Sequence, residues 1–215
     1  MKNVLIVAAH PDDEILGCGG TILKHTSKGD NVYVCIVTVS DDRWSKEYKD
    51  KKIIEAEMVD KELFIKKRFY CNLPTTTLNS VPSHEINKKI YDVFNKVKPD
   101  IVYTHFKGDV NEDHRVIFNA VLVCARPIDR LISVRCFETA SSTEWGSQGF
   151  FPNFYVILDE KDMSKKKKAF SFYTSEVKEY PHPRSLKGLE NLARKRGNEI
   201  CKNYAESFII INSYW

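Results

Sequence analysis

Residues 9–14 read Ala-His-Pro-Asp-Asp-Glu, which puts one imidazole (His10) and three carboxylates (Asp12, Asp13, Glu14) within five residues. Nitrogen and oxygen donors this close can hold a divalent cation and still spare a carboxylate as a base, and the proline stiffens the turn. A second group, His105-Phe-Lys-Gly-Asp109-Val-Asn111-Glu-Asp113-His114-Arg115, is equally rich in such donors. Catalytic zinc sites typically combine three protein ligands with a water whose pKa the ion lowers towards neutrality. His10, Asp13 and His114 can supply three ligands of the right types, so the leading expectation is a metal-dependent hydrolase. Taken singly, a His-Pro turn, an Asp-Asp helix cap and a histidine at a helix start each have a purely structural reading. It is their joint occurrence at two strand ends that favours the metal.

Those strand ends can be read from the pattern of apolar residues. Val4 to Ala9 is a continuous apolar run that suits a buried parallel strand, and it delivers the first motif to its carboxyl end. Residues 101–104 form a similar run before the second motif. In open α/β sheets that end is where ligands bind. Further strands are predicted over 31–39, 66–72, 135–139 and 154–158. Helices are predicted over 15–25, 44–61, 84–98, 116–125, 161–179 and 186–205. Alternating strands and helices predict one α/β domain over 1–215, with a largely parallel, Rossmann-like sheet flanked by helices and the metal site at the strand ends.

Composition narrows the function classes. At 215 residues the chain can bury a sizeable core, and its net charge of +4 is mild. The basic excess has a local source in Lys165–Lys168, expected on a solvated helix face. With no broader basic stripe, nucleic acid is not an expected partner. Six cysteines without a Cys-x-x-Cys pair read as reduced residues, several of them in the core, of a cytoplasmic protein. No apolar stretch has the length of a membrane span, and the amino terminus does not read as a signal peptide.

The first motif, the Asp109-x-Asn111-x-Asp113-His114-Arg115 segment and Pro181-His182-Pro183-Arg184-Ser185 resemble the PIG-L/LmbE-like zinc deacetylases. The resemblance runs over nearly the whole chain and includes Glu138 to Trp145 and the late Arg196-Gly197 … Ala205-Glu206-Ser207-Phe208 pattern. It implies an enzyme that removes the N-acetyl group from an N-acetylated amino-sugar derivative, with zinc, or iron in its place, held by His10, Asp13 and His114. It also implies Asp12 as general base, and His182 as oxyanion stabiliser or general acid. Glu14, His105 and Asp113 would orient the ligands, and Arg43, Asp109 and Arg184 would contact substrate. Self-association is compatible with the resemblance, although no exposed apolar stripe requires it.

The chain also departs from the family pattern. A glycine-bearing turn common after the second strand is replaced by Val39-Ser40-Asp41-Asp42-Arg43. An acidic residue common after a proline is missing around Leu73-Pro74-Thr75-Thr76-Thr77, and Asn111 stands where some relatives carry a histidine. The first two changes put the acyl acceptor in question and leave the ligand set intact. Trp145 and Phe150-Phe151 are candidates for an aromatic wall against a sugar ring. Three rival readings are a hydrolase of another N-acyl amide, an inactive homologue with a structural metal, and a non-catalytic phosphate- or nucleotide-binding module. The last would rest on Leu16-Gly17-Cys18-Gly19-Gly20, the one glycine-rich feature.

Overall fold

A computed structural model describes residues 1–39, 44–128 and 130–214. In chain order the elements are β1 (Asn3–Ala8), α1 (Asp13–Ser27), β2 (Asn31–Thr38), α2 (Lys46–Leu63), β3 (Lys67–Leu73), α3 (Ser83–Val97) and β4 (Ile101–His105). They continue with α4 (Glu112–Cys124), β5 (Ser133–Phe137), β6 (Phe154–Leu158), α5 (Glu160–Ser171), α6 (Leu186–Asn198) and β7 (Tyr204–Asn212). The seven strands form one sheet in the order β3-β2-β1-β4-β5-β7-β6. The first five in that order are mutually parallel, with Val4 opposite both Val32 and Ile101. β7 runs antiparallel to β5 and β6.

This order explains where the site lies. The chain lays down β1, β2 and β3 towards one edge, then returns past β1 to lay β4 and β5 on the other side. The order reverses between β1 and β4, and the crevice beyond the carboxyl ends of such a pair is the usual ligand site of open α/β sheets. The two motifs follow β1 and β4.

Side chains alternate across each strand, so β1 feeds two cores. Val4, Ile6 and Ala8 pack with Leu16 and Ile22 of α1 and Ala56 and Val59 of α2. Leu5, Val7 and Ala9 pack with Ile86 and Ile90 of α3 and Ile117 and Val121 of α4. Burial on both faces is why β1 reads as an unbroken apolar run.

Three expectations are corrected. The helix predicted over 161–179 ends at Ser171, and the one over 186–205 ends at Asn198. After the latter the chain turns through Cys201 (φ 55°) into β7, an inner strand that the sequence reading missed. The β-branched run Ile209-Ile210-Ile211 was its signal. The lysine run is not wholly solvated either: Lys166 is buried and donates to Glu206 Oε1 at 2.7 Å and to the Leu16 carbonyl at 3.0 Å.

The glycine-rich segment sits inside α1, where it permits close packing. A Cβ at Gly17 would lie 2.3 Å from the Phe137 ring, and one at Gly20 would lie 2.4 Å from Leu158. The Gly20 and Thr21 N–H groups donate to Glu206, so they face a carboxylate and not a phosphate. Among the described residues, no helix is long and apolar enough to cross a membrane.

Candidate active site

β1 ends at Ala8 and α1 begins at Asp13, so residues 9–12 form the turn at the crevice. Asp12 occupies the helix N-cap position, but its side chain makes no capping hydrogen bond. Its carboxylate is therefore not spent on the structural role that Asp-Asp usually signals. Its backbone is strained, with φ 135° and ψ −32°, at a cost of roughly 1–3 kcal/mol that the surroundings must offset. Glu14 supplies part of that: its Oε2 accepts the Asp12 N–H at 3.0 Å, while Oε1 accepts from Arg68 Nη1 at 2.9 Å and from the Tyr173 hydroxyl at 2.5 Å.

His114 stands in the first turn of α4, whose N-cap Asn111 accepts the Asp113 N–H at 3.0 Å. The crossing of the two motifs brings one donor atom each from His10, Asp13 and His114 within 4.8 Å of one another. Asp13 Oδ2 lies 3.2 Å from His10 Nδ1 and 3.3 Å from His114 Nε2. Both ring nitrogens of His114 are buried, yet neither makes a hydrogen bond of acceptable angle. A buried imidazole whose Nε2 faces the Asp13 carboxylate without a good hydrogen bond fits a divalent cation held between them.

Other side chains hold these donors in place. Asp113 is fixed by the N–H groups of Thr76 (2.6 Å) and Leu78 (3.2 Å), and it lies 3.1 Å from His10 Nε2. Asp109 is buried, anchored by the hydroxyls of Thr143 (2.6 Å) and Ser142 (3.0 Å), with Oδ2 3.2 Å from His114 Nδ1. The structure thus sets Asp109 behind His114, where a carboxylate orients an imidazole, and not on the pocket wall as a substrate contact. His105 accepts the Ala9 N–H at 2.9 Å and stacks on the His114 ring at 3.7 Å, which ties β4 to the first motif.

The charges of the cluster are strongly coupled. Burial disfavours the His10 imidazolium, but Asp113 and Asp13 outweigh it and push its pKa up to about 10. His114, buried yet facing Asp13 and Asp109, is pushed up to about 9. Burial also opposes the Asp13 carboxylate, which His114, His105 and His10 nevertheless hold well below its ordinary range. Protons on the two rings thus balance the carboxylates, and a bound cation would take their place. Asp12 goes the other way, raised well above its ordinary value by burial and by the neighbouring charges of Asp13 and Glu176, against the opposing pull of Arg184.

A cavity of about 480 Å³ opens onto this cluster. Arg184 lines it, with Nη1 3.3 Å from Asp12 Oδ2 and 3.2 Å from Glu176 Oε2. Lys52 in turn donates to Glu176 Oε1 at 2.8 Å and to Ser175 Oγ at 2.6 Å. Glu176 and Lys52 escaped the sequence reading, because nothing local links them to the motifs. His182 is half-buried in the turn before α6; its Nδ1 accepts the Arg184 N–H at 3.0 Å, and it is not among the residues lining the cavity. Arg43 lies outside the described residues. Trp145 and Phe151 are exposed away from the cavity, and its aromatic wall comes instead from Trp44 and Tyr48.

The chain is similar to several known proteins. The Uncharacterized deacetylase YaiS of Escherichia coli (strain K12) is 25% identical over 178 residues, covering 81% of this chain and 91% of YaiS. The N,N′-diacetylchitobiose deacetylase of Pyrococcus horikoshii superposes with a TM-score of 0.79 at 23% identity, over 98% of this chain and 84% of that one. GalB, the 4-carboxy-2-hydroxymuconate hydratase of Pseudomonas putida KT2440, reaches 0.81 at 17% identity, over 100% and 98%. These two likenesses are of fold, and a fold can host several reactions. Residues 5–125 match the family described as PIG-L: GlcNAc-PI de-N-acetylase. That span is more than half of the chain and carries both motifs of the crevice, so the chain belongs to the PIG-L deacetylase family.

Proposed function

We propose that this protein is a zinc-dependent N-deacetylase, with iron as an alternative ion, acting on an N-acetylated amino-sugar derivative. The observation that carries the reading is the convergence of His10, Asp13 and His114 beside an Asp12 carboxylate that caps nothing. Those three residues would hold the cation, which when bound supplies Lewis acidity towards the acetamide carbonyl and a lowered water pKa. Asp12 takes the proton of the attacking water. Arg184 keeps the Asp12 carboxylate turned into the cavity, and Glu14 holds its backbone from behind. The products are acetate and a free amine.

The leaving amine needs a proton. His182 is not among the residues that line the cavity, whereas Asp12 is buried in its lining. This placement favours Asp12 as carrier of both proton transfers, with the His182 turn positioning Arg184. The likeness to GalB supports a second reading, in which the same base directs water onto a carbon–carbon double bond. The experiment is acetate release from a panel of N-acetylated amino sugars, alongside metal content, for wild type and His10→Ala. Release by metal-loaded wild type alone supports the deacetylase. A protein that binds zinc, releases no acetate and hydrates unsaturated acids would move the reading to the hydratase class.

A further inference from the structure

The α2 side of the cavity carries a feature that the metal chemistry does not use. Tyr48 and Lys52, spaced i and i+4, share one face of α2, and Trp44 stands just before its N-cap Ser45; all three line the same cavity as His10 and Asp13. The Trp44 and Tyr48 rings stack at 4.6 Å with an interplanar angle of 20°. Neither belongs to a hydrophobic core cluster, and the indole stays 43% exposed despite the stack. An exposed stacked pair at the mouth of a polar cavity, unneeded by the core, is a surface for a ligand.

We propose that Trp44, backed by Tyr48, is the platform on which the sugar ring of the acetylated substrate stacks, which makes it a specificity-determining residue of this enzyme. The proposal rests on the deacetylase reading and names the part of the substrate that the chain recognises. A pyranose ring has a face of C–H bonds with no polar group, and an aromatic face attracts such hydrogens through its negative quadrupole. The cavity, about 480 Å³, is of the size that small-molecule sites span.

The cations around it favour a neutral ring over a phosphate. Lys52 is held by Glu176 and Ser175, with Glu55 3.5 Å away, and Arg184 is held by Asp12 and Glu176. Among the described residues, the lysine and the arginine that line the cavity are thus already matched by carboxylates. The Lys52–Glu176–Arg184–Asp12 chain runs along this cavity, so a ring on Trp44 and the base Asp12 would share one continuous space.

The test compares zinc-loaded wild type, Trp44→Ala and Trp44→Phe on N-acetylglucosamine and on the acyclic N-acetylethanolamine. The platform predicts that the ratio of kcat/KM for sugar over acyclic amide falls roughly tenfold in Trp44→Ala, through KM, and is largely restored in Trp44→Phe. An unchanged ratio in a variant with full metal content overturns the platform and leaves the deacetylase standing. A second readout separates the two ideas when no acetate appears. In Trp145→Phe/Trp215→Phe protein, Trp44 is the sole indole of the chain's three tryptophans, and saturable quenching of its fluorescence by N-acetylglucosamine reports stacking directly. Saturable quenching supports the platform and its absence overturns it, while the deacetylase reading is decided separately by acetate release across the panel of N-acetylated amino sugars.

Discussion

Glu14 Oε2 accepts the Asp12 N–H at 3.0 Å and so holds the proposed base in a backbone conformation (φ 135°) that it would not otherwise keep. Glu14 is itself gripped by Arg68 and by Tyr173, all three side chains being buried. Tyr173→Phe removes one charge-assisted hydrogen bond and should cost about 1.5–3 kcal/mol of stability. It should also lower kcat more than it raises KM, since it loosens Asp12 and touches no substrate. Urea unfolding and steady-state kinetics on one preparation check both; unchanged kcat in a destabilised variant would show that Glu14 only stabilises the fold.

Asp12 and the ligand cluster separate chemistry from metal binding. Asp12→Asn should retain bound zinc and lose roughly 10²–10⁴-fold in turnover, the usual contribution of a general base. His114→Ala should lose both. Asp109→Asn, acting through His114, should weaken metal affinity roughly 10–100-fold. Metal analysis after dialysis against graded chelator distinguishes the three, and full activity in Asp12→Asn would transfer the base to another residue.

His182 gives a sharp contrast. If it were the general acid, His182→Ala would lose roughly 10²–10⁴-fold in kcat. Its place off the cavity wall, with Nδ1 bound to the Arg184 N–H, leads us to expect a loss of roughly tenfold or less, through Arg184. A loss in the general-acid range would return it to the catalytic pair.

The Lys52–Glu176 pair makes stability depend on pH. Burial alone would raise the Glu176 pKa, but the hydrogen bond and charge of Lys52, with Ser175 and Arg184, hold it below its ordinary 4.5. A depressed folded pKa contributes stability that is complete above the unfolded value and is lost as pH falls through the folded one. Lys52→Met should therefore cost about 1–3 kcal/mol near neutral pH. The gap from wild type should narrow as pH falls below the ordinary value of Glu176. Thermal unfolding of both proteins between acidic and neutral pH checks this; a constant gap would assign the loss to packing.

Metal binding should stabilise the fold by mass action, about 2.7 kcal/mol at a hundredfold excess of free ion over Kd. Zinc should accordingly raise the Tm of wild type and Asp12→Asn, and leave His114→Ala unmoved. A shift of equal size in His114→Ala would place the bound ion elsewhere.

What the sequence determined by itself was local: the His10–Glu14 turn after an apolar run, the Asp109–Arg115 segment after another, and the alternation that implies a parallel sheet. These are legible because β1 and β4 are buried on both faces, so their ends stand out as abrupt changes from apolar to acidic residues. The tertiary structure decided what contacts between distant segments decide. β7 inserts antiparallel between β5 and β6, and Thr143 and Ser142 anchor Asp109. Tyr48 and Lys52 of α2 reach the cavity wall, and the Glu176–Arg184 clamp on Asp12 comes from the segment between α5 and α6. Such contacts leave no periodic signature, because partners far apart in sequence, such as Asp12 and Arg184, meet only once the sheet order has brought their loops to one crevice.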